Sequence, residues 1–178
     1  MSTAINFIVR DAYPSECGKA IELTLEAYRQ YEPDFGPTFW ESYISNIKSQ
    51  WERKGDSWRI VAEQEGELIG ALLLYPPQEG LYEKLKETIP YPEIRLLGVH
   101  SSARGKGVAT ALIGESARRA RQSGAAYLGL HTSNRMPDAV RLYLSLGFER
   151  EPRYDFFAAD NTTVVEAYRL PLHTANHT

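Results

Sequence analysis

Residues 93–113 constrain the fold more than any other stretch of the sequence. A short, mostly aliphatic run is followed by a polar, glycine-rich turn and then by apolar residues at helical spacing. This order predicts a strand, a loop and a helix. The first amides of a helix lack intrahelical partners and lie at the positive end of its dipole, so this junction favours an anion. Gly105 and Gly107 leave room for a ligand near the backbone, and Arg104 and Lys106 add positive charge.

Two common nucleotide-binding motifs do not match this loop. A Walker loop requires glycine five residues before Gly105, where the chain has His100, and Ser or Thr after the lysine, where it has Gly107. A dinucleotide-binding fingerprint that starts at Gly105 would place its third glycine at Thr110. The sequence therefore predicts an anion site of another kind.

Two motifs resemble those of the GNAT superfamily of N-acetyltransferases. The pattern Arg-x-x-Gly-x-Ala at 104–109 is similar to the loop that binds the pyrophosphate of acyl-CoA in that superfamily. The pattern Ala-x-x-Leu-Tyr-x-x-x-Gly-Phe at 139–148 resembles its second signature, at the usual separation. The resemblance extends from about Trp58 to Phe148. It implies a single-domain α/β fold with a mixed central sheet, splayed at the cofactor site, and helices on both faces.

The resemblance also implies acetyl-CoA as cosubstrate and a set of residues that bind it. Leu97, Gly98 and Val99 are expected to contact the pantetheine arm through their backbones. The remaining cofactor-binding residues implied by the resemblance are Arg104, Gly105, Lys106, Gly107, Val108, Ala109, Thr110 and Asn134. At one point the chain departs from the family pattern, because Met136 replaces the asparagine usually found three residues before the helix alanine, and Asn134 lies two residues earlier.

Glycine inside the predicted central strand needs an explanation, because glycine weakens a strand. Gly98 therefore indicates either a bulge or a close approach of other backbone, and we interpret it as a bulge that separates this strand from its neighbour. Acyl transfer also needs an oxyanion donor, which a backbone N–H at such a bulge could supply.

Acetyl transfer to an amine requires a base, because an ammonium with a pKa of roughly 10 cannot attack a carbonyl. By resemblance, Glu93 is the general base and Tyr143 the general acid that protonates the departing thiolate. Glu93 could equally be an exposed carboxylate at a strand start, and Tyr143 could be a core residue. His131 or water remain alternative bases, although we expect His131 and His100 to be bystanders.

Composition excludes several other classes of protein. With 20 Lys and Arg against 23 Asp and Glu, the net charge is −3, which disfavours nucleic-acid binding. Four histidines without zinc-type spacing and the single Cys17 predict neither a metal site nor a disulfide. The absence of a signal peptide or a membrane-length apolar run leads us to expect a cytoplasmic protein without a membrane partner.

The remaining pattern predicts a single domain with four parts. These are an N-terminal strand and two acceptor-side helices (1–57), an acetyl-CoA-binding core (58–148), a closing hairpin (149–170) and a tail (171–178). Strands are predicted at 5–10, 58–63, 68–75, 94–99 and 126–131, and a closing hairpin has strands at 149–157 and 164–170. The first predicted helix ends near Tyr31, before a break at Pro33, and the second is capped by Thr38. A third helix starts at Lys106, and a fourth lies within the second signature. Residues 76–92 form a long connection that is either a substrate lid or an inert insertion.

The sequence thus predicts an acetyl-CoA-dependent N-acetyltransferase that acts on a primary amine of a small molecule or peptide. The alternative is a non-catalytic GNAT-like domain that binds or senses acyl-CoA. Aromatic residues of the first two helices, among them Tyr28, Phe35 and Tyr43, either line the acceptor site, as the family resemblance suggests, or pack against the sheet. The identity of the amine stays open, and an edge strand of the closing hairpin could pair in a homodimer.

Overall fold

Eight strands and five α-helices make up the part of the chain that the computed structural model describes, residues 6–77, 87–133, 135–158 and 160–173. The strands are β1 (Ile8–Asp11), β2 (Trp58–Gln64), β3 (Glu67–Tyr75), β4 (Glu93–Val99), β5 (Tyr127–Ser133), β6 (Glu149–Arg150), β7 (Phe156–Phe157) and β8 (Val164–Pro171). The helices are α1 (Cys17–Tyr28), α2 (Glu32–Phe35), α3 (Pro37–Glu52), α4 (Val108–Gln122) and α5 (Pro137–Ser145). Short 3₁₀ helices lie at Pro14–Glu16, Arg29–Tyr31, Ser101–Ala103 and Pro152–Tyr154.

The contacts divide the chain into two compact units. The first unit contains residues 1–74 and 96–115, and the second contains residues 75–95 and 116–178. Strand order is β1-β2-β3-β4 in the first unit and β4-β5-β8-β6 in the second, where β7 also pairs with β8. Strands β4 and β5 are parallel, whereas β1–β2, β2–β3 and β5–β8 are antiparallel. The predicted α/β class with a mixed sheet is confirmed.

The hairpin β2–β3 forms where the sequence predicts it. Its two turn residues, Glu65 and Gly66, have φ angles of 51° and 84°. Left-handed backbone at both positions gives a turn whose twist matches that of the flanking strands. Glycine at the second position adopts this conformation without steric cost, so the local sequence determines the hairpin.

Glycine on β3 lets helix α4 pack closely against the sheet of the first unit. A β carbon on Gly70 would lie 2.8 Å from Cγ1 of Val108 and 2.9 Å from Cδ1 of Leu112. Both residues are buried, and both belong to the first two turns of α4. The start of the helix, and with it the loop that precedes it, is therefore held against β3 by side-chain packing.

Within β4 the residue with a left-handed φ is Leu96, and the bulge predicted at Gly98 stays a prediction. Leu96 has a φ of 55°, whereas Gly98 is not among the residues with positive φ. A β carbon on Gly98 would lie 3.0 Å from Cβ of Ala27 and 3.6 Å from Cα of Thr24 on α1. Glycine at position 98 is needed because helix α1 approaches the strand closely there.

Two predicted helix boundaries in the N-terminal region are wrong. Pro33 does not break the chain, because it lies in the first turn of α2, where a missing N–H costs nothing. The second predicted helix starts at Pro37 and has Gly36, with φ 75°, as its N-cap in place of Thr38. Helix α4 begins at Val108, two residues later than predicted, because Gly107 has a left-handed φ of 83°.

The predicted strand at 149–157 is interrupted. Strands β6 and β7 both pair with β8, but the 3₁₀ helix Pro152–Tyr154 lies between them. Proline cannot donate a ladder hydrogen bond, so a strand that contains Pro152 turns away from its partner there. This interruption places the backbone of Tyr154 near the second unit's buried polar residues.

The aromatic residues of the first two predicted helices pack against one another. Their ring centroids are 4.9 to 6.4 Å apart, in a cluster of Tyr28, Tyr31, Phe35, Phe39, Trp40 and Tyr43. Tyr28, Phe35 and Trp40 are buried, and the others are partly exposed. This arrangement agrees with ordinary aromatic packing. A contribution to the acceptor site stays a prediction.

Candidate active site

The loop before α4 has the backbone geometry of an anion-binding turn. Gly105 and Gly107 have φ angles of 72° and 83°, and within the described residues nothing lies within 4 Å of where their β carbons would be. Helix α4 begins at Val108, so the N–H groups of residues 108–110 have no intrahelical acceptor. The first helical bond runs from Ala111 N–H to the carbonyl of Gly107, at 3.0 Å. The positive end of the helix is thus open to a ligand.

The two cations of the loop differ in what they contact. The guanidinium of Arg104 donates a hydrogen bond to the carbonyl oxygen of Ala27, at 3.0 Å, in the last turn of α1. A cation is favourable there because the helix end carries partial negative charge. Lys106 is exposed. Arg104 therefore ties the loop to α1, while Lys106 is available to a ligand from solvent.

Hydrogen bonds to Glu26 hold the start of the same loop. Ser101 donates its N–H to Oε2 of Glu26, at 3.2 Å, and its hydroxyl to Oε1. Burial opposes ionisation of this carboxyl, but the Ser101 donors outweigh it and lower the pKa of Glu26. His100 accepts the N–H of Ser102 on Nδ1, at 3.1 Å, and its side chain is 40% exposed. His100 thus caps the turn at the surface.

The other cofactor-binding predictions are placed as follows. Gly98 is buried and Leu97 and Val99 are half-buried on β4. Their backbone contacts with a pantetheine arm stay predictions. Asn134 lies outside the described residues, as do residues 78–86 of the connection that we considered as a lid.

The structure joins Glu93 to His131 in the second unit. Nδ1 of His131 lies 2.6 Å from Oε1 of Glu93, and the two side chains are 4% and 1% exposed. Glu93 begins β4, as predicted, but it is fully buried instead of being an exposed carboxylate at a strand start. A buried carboxyl needs such a partner, because an unpaired buried charge is costly.

The strand register explains how these residues meet across 38 positions of sequence. Glu93 pairs with Gly129 in the parallel ladder between β4 and β5. His131 lies two residues beyond Gly129, so its side chain is on the same face of the sheet. Gly129 itself has no side chain, and Oε2 of Glu93 is 3.6 Å from where its β carbon would be.

The far side of the imidazole is also engaged. Nε2 of His131 lies 2.8 Å from the carbonyl oxygen of Tyr154, and the ring of Phe156 has its centroid 5.2 Å from the imidazole centroid. Both contacts come from the segment between β6 and β8. His131 is therefore held at both ring nitrogens, and the expectation that it is a bystander to the chemistry stays a prediction.

Charged groups continue outward from this pair. Arg150 donates to both carboxylate oxygens of Asp155, at 2.7 and 2.6 Å, and Ala167 N–H donates to one of them at 2.7 Å. Burial alone would raise the pKa of Asp155, but these donors, the charge of Arg150 and that of His131 lower it. Arg150 also contacts Glu166 at 3.1 Å.

The phenol of Tyr91 lies beside Glu93 in a buried site. Burial, and to a smaller extent the charge of Glu93, raise the pKa of the Tyr91 phenol well above its usual value. Its ring is 5.6 Å from that of Tyr127 and 6.2 Å from that of Tyr154. Tyr91, Tyr127 and Tyr154 therefore form an aromatic cluster next to the buried carboxyl.

Tyr143, the predicted general acid, lies on helix α5 and is 8% exposed. Its ring centroid is 5.7 Å from that of Phe148. Both residues belong to the second sequence signature, and their contact closes the end of α5 after the left-handed Gly147, whose φ is 99°. The packing role of Tyr143 is observed, and its role as a proton donor stays a prediction.

The sequence analysis did not bring together His131 and the groups around it. The alternation of side chains along β5 together with the Glu93–Gly129 register would have placed His131 beside Glu93. The sequence could not indicate the contact between His131 and the carbonyl oxygen of Tyr154, because every residue has a backbone carbonyl. Its position depends on the interruption at Pro152.

Within the described ranges, no group of three or more His, Cys, Asp or Glu side chains could hold a metal ion. In the same part of the chain, no helix combines the length and the apolar character that crossing a bilayer requires.

The fold is a mixed α/β sheet with an open, glycine-rich turn before helix α4. The family model described as "Acetyltransferase (GNAT) family" matches residues 21–148. The chain belongs to this family, as its two motifs predicted.

Similarity to individual proteins agrees with this assignment. The chain is 29% identical over 126 residues to N-acetyltransferase 8B of Rattus norvegicus. The matched segment is 65% of this chain and 53% of that relative. The chain thus spans about half the length of that curated relative.

Solved structures share the fold over nearly the whole chain. One of them is a Corynebacterium glutamicum protein described as "histone acetyltransferase HPA2 and related acetyltransferase". It superposes with a TM-score of 0.70 at 22% sequence identity, and the match covers 97% of this chain and 99% of that chain. The PaiA N-acetyltransferase of Thermoplasma acidophilum, solved in complex with coenzyme A, also has a TM-score of 0.70, with 16% identity, covering 94% of this chain and 99% of that chain.

Proposed function

We propose that this protein is an acetyl-CoA-dependent N-acetyltransferase that transfers acetyl to a primary amine of a small molecule or peptide. The observation that carries the proposal is the loop 104–107, whose left-handed glycines open the N-terminus of α4 to an anion. Membership of the GNAT family supports acyl transfer. A related fold in complex with coenzyme A supports the choice of cosubstrate.

In this proposal the loop binds the diphosphate of coenzyme A. Main-chain N–H groups at the start of α4 donate to the phosphate oxygens, and Lys106 adds charge from the surface. The absence of atoms around the Gly105 and Gly107 β-carbon positions, within the described residues, agrees with a backbone that a phosphate group can approach. Acetyl-CoA supplies the activated thioester.

Two residues of this chain carry out the proton transfers of the reaction. Glu93 accepts a proton from the substrate ammonium, so that the amine has a lone pair for attack on the thioester carbonyl. A C–N bond forms, the C–S bond breaks, and the sulfur leaves with the bonding electron pair. Tyr143 donates a proton to that sulfur and is reprotonated by the proton that the new amide nitrogen loses. Glu93 later releases its proton to solvent.

Two assays on the full chain test this function. Calorimetric titration with acetyl-CoA should show saturable binding, and a thiol-release assay should show turnover with at least one amine from a panel of polyamines, amino acids, aminoglycosides and peptide N-termini. Mass spectrometry should find acetyl on the amine nitrogen of the product. No binding of acetyl-CoA would overturn the proposal, whereas binding without thiol release from any amine would support a non-catalytic acyl-CoA sensor.

A further inference from the structure

The turn that precedes helix α4 has two parts, which differ in what their N–H groups contact. In residues 101–103 every N–H has an acceptor within the protein. Ser101 donates to Oε2 of Glu26, at 3.2 Å. The next two N–H groups donate to His100, at 3.1 Å to its ring Nδ1 and at 2.9 Å to its carbonyl oxygen. The N–H groups of residues 108–110, in contrast, have no intrahelical acceptor. The first part is therefore an anchor, and the second part is open to a ligand.

Glu26 holds this anchor through two hydrogen bonds to one residue. Its Oε2 accepts the N–H of Ser101, and its Oε1 accepts the hydroxyl of the same residue. Two bonds from one carboxylate restrict the orientation of Ser101 more than a single bond does. Burial opposes ionisation, but these donors lower the pKa of Glu26 below its ordinary value. At neutral pH both bonds are therefore charge-assisted, and stronger than bonds between neutral groups.

The neighbouring residue on α1, Ala27, holds the same part of the chain at two further points. Its carbonyl oxygen accepts from the guanidinium of Arg104, at 3.0 Å. Its Cβ is 3.0 Å from where a β carbon on Gly98 would lie. The last turn of α1 thus contacts the chain both before and after Ser101, although Glu26 and Ser101 are 75 positions apart in sequence. The end of α1 therefore determines where the turn begins.

We propose that Glu26 is a positioning residue for acetyl-CoA binding, because its grip on Ser101 holds the loop 104–107 in the conformation that leaves the N-terminus of α4 open to the diphosphate. The inference rests on the proposed function. Both carboxylate oxygens of Glu26 accept from Ser101, so Glu26 acts through that residue and not through the phosphate oxygens, which a carboxylate repels. A loop that is already ordered loses less conformational entropy when a ligand binds.

The charge of Glu26 and its hydrogen bonds have opposite effects on an anionic ligand. A carboxylate near the diphosphate repels it, so removal of the charge alone would raise the affinity for acetyl-CoA. Removal of the hydrogen bonds takes away the protein acceptor of Ser101 and loosens the turn, which would lower that affinity. The sign of the change in affinity therefore identifies which effect dominates.

The first test measures the affinity of the full chain for acetyl-CoA by titration calorimetry. Glu26→Ala removes both acceptors and should weaken binding by about tenfold. Glu26→Gln removes the same charge, but its amide can accept the N–H of Ser101 and donate to the Ser101 hydroxyl oxygen, so binding should stay within about threefold of the parent. Equal changes in the two variants, or tighter binding by Glu26→Ala, would overturn the inference.

Glu22→Ala is the matched control for the lost charge. Glu22 lies one turn before Glu26 on the same helix and is exposed, so this substitution removes the same charge at the protein surface. Its affinity for acetyl-CoA should match that of the parent. A loss equal to that in Glu26→Ala would show a general effect of the charge on α1, and would overturn the inference.

Ser101→Ala tests whether Glu26 acts through Ser101, because it deletes the hydroxyl bond and keeps the N–H bond. In the parent it should weaken acetyl-CoA binding by about threefold, and in the Glu26→Ala background it should cost nothing further. Additive losses would overturn the inference. If Glu26→Ala does not fold, Ser101→Ala alone still tests the contact, and an unchanged affinity would then overturn the inference.

Hydrogen exchange without ligand, followed by mass spectrometry, observes the turn itself. Peptides that contain residues 100–104 should exchange faster in Glu26→Ala than in the parent or in Glu22→Ala, because the turn has lost its anchor. Peptides from β2 should exchange equally in all three proteins. Unchanged exchange of residues 100–104 in Glu26→Ala would overturn the inference, and this measurement does not depend on acetyl-CoA.

The proposed function and the role of Glu26 can fail separately. A parent protein that does not bind acetyl-CoA contradicts the proposed function, on which the role of Glu26 rests. A parent that binds acetyl-CoA, together with a Glu26→Ala variant of equal affinity, contradicts the role of Glu26 alone and assigns this residue to the packing of the turn.

Discussion

The ring of Tyr91 occupies the space that a side chain on Gly129 would need. A β carbon at position 129 would lie 3.0 Å from Cδ2 of Tyr91 and closer still to its Cε2. The phenol thereby packs directly on β5, next to the carboxyl of Glu93, which is 3.6 Å from the same position. Glycine at this point in the ladder is what allows a buried acid and an aromatic ring to pack together against β5.

Gly129→Ala should therefore destabilise the protein by about 1–3 kcal/mol, because the added methyl group forces Tyr91 to move in a packed core. Gly114→Ala is the matched control, since Gly114 is exposed on α4 and no described atom lies within 4 Å of its β-carbon position. The control should gain up to about 1 kcal/mol from helix propensity. Urea unfolding measures both changes, and equal stability of the two variants would contradict the packing argument.

Lys106→Glu should weaken acetyl-CoA binding by roughly tenfold, because it replaces attraction with repulsion at the open end of α4. The unfolding free energy should change by less than about 0.5 kcal/mol, since the side chain is exposed. Lys48→Glu on α3 changes the net charge by the same amount and should leave the affinity near that of the parent. Titration calorimetry at low and high salt checks this, and similar losses in both variants would point to a general charge effect.

Tyr143→Phe should lower turnover by about 10²-fold, the usual contribution of a general acid, with little change in affinity for acetyl-CoA. The substitution keeps the ring that packs on Phe148, so stability should change by less than about 1.5 kcal/mol. Tyr13→Phe provides a control at a residue that is 60% exposed and should keep the parent rate. Steady-state kinetics measure the turnover of each variant. Full turnover in Tyr143→Phe would leave this residue with its packing role only.

Glu16 should make the stability of the protein depend on pH in the acid range. Arg10 donates to both of its carboxylate oxygens, at 2.8 Å each. This pairing, together with the N–H of Tyr13 and against the effect of burial, lowers the pKa of Glu16 from 4.5 to about 2. The unfolded chain therefore binds the proton more readily than the folded one, and the contribution to stability is complete above pH 4.5 and is lost as the pH falls toward 2.

The corresponding measurement compares Glu16→Gln with the parent by urea unfolding across that range. The parent should be more stable by about 1 kcal/mol near pH 6, a value reduced by solvent screening of the pair, and the difference should vanish below pH 2. Glu22→Gln on the exposed face of α1 should track the parent. A difference between Glu16→Gln and the parent that does not change with pH would show that the effect is not ionic.

Much of the fold could be predicted because its signals are local. The turn at Glu65 and Gly66 needs left-handed backbone at two adjacent positions, and the residues themselves specify it. The junction at 104–108 is similar, since glycines and a following apolar stripe are enough to end a loop and begin a helix. The boundaries that were predicted wrongly, at Pro33 and Thr38, depend on which of several permitted caps the packed structure selects.

Gly98 shows what a strand sequence leaves open. Either a bulge or a close helix would require glycine there, and the strand sequence does not distinguish them. The tertiary structure shows the close helix, because a β carbon on Gly98 would lie 3.0 Å from Cβ of Ala27, 71 positions earlier. The left-handed residue of β4 is Leu96, whose type gives no warning of that conformation.

By itself, the sequence determined the family, the order of most elements and the glycine-rich turn before α4, because each depends on residues within a few positions of one another. Only the tertiary structure decided that Glu93 is buried and that His131 is its partner. That pairing requires the register of two parallel strands, a missing side chain at Gly129 and the carbonyl of Tyr154 beyond the interruption at Pro152. Each of these three conditions depends on contacts between segments that are far apart in sequence. They are therefore met only when the whole chain packs.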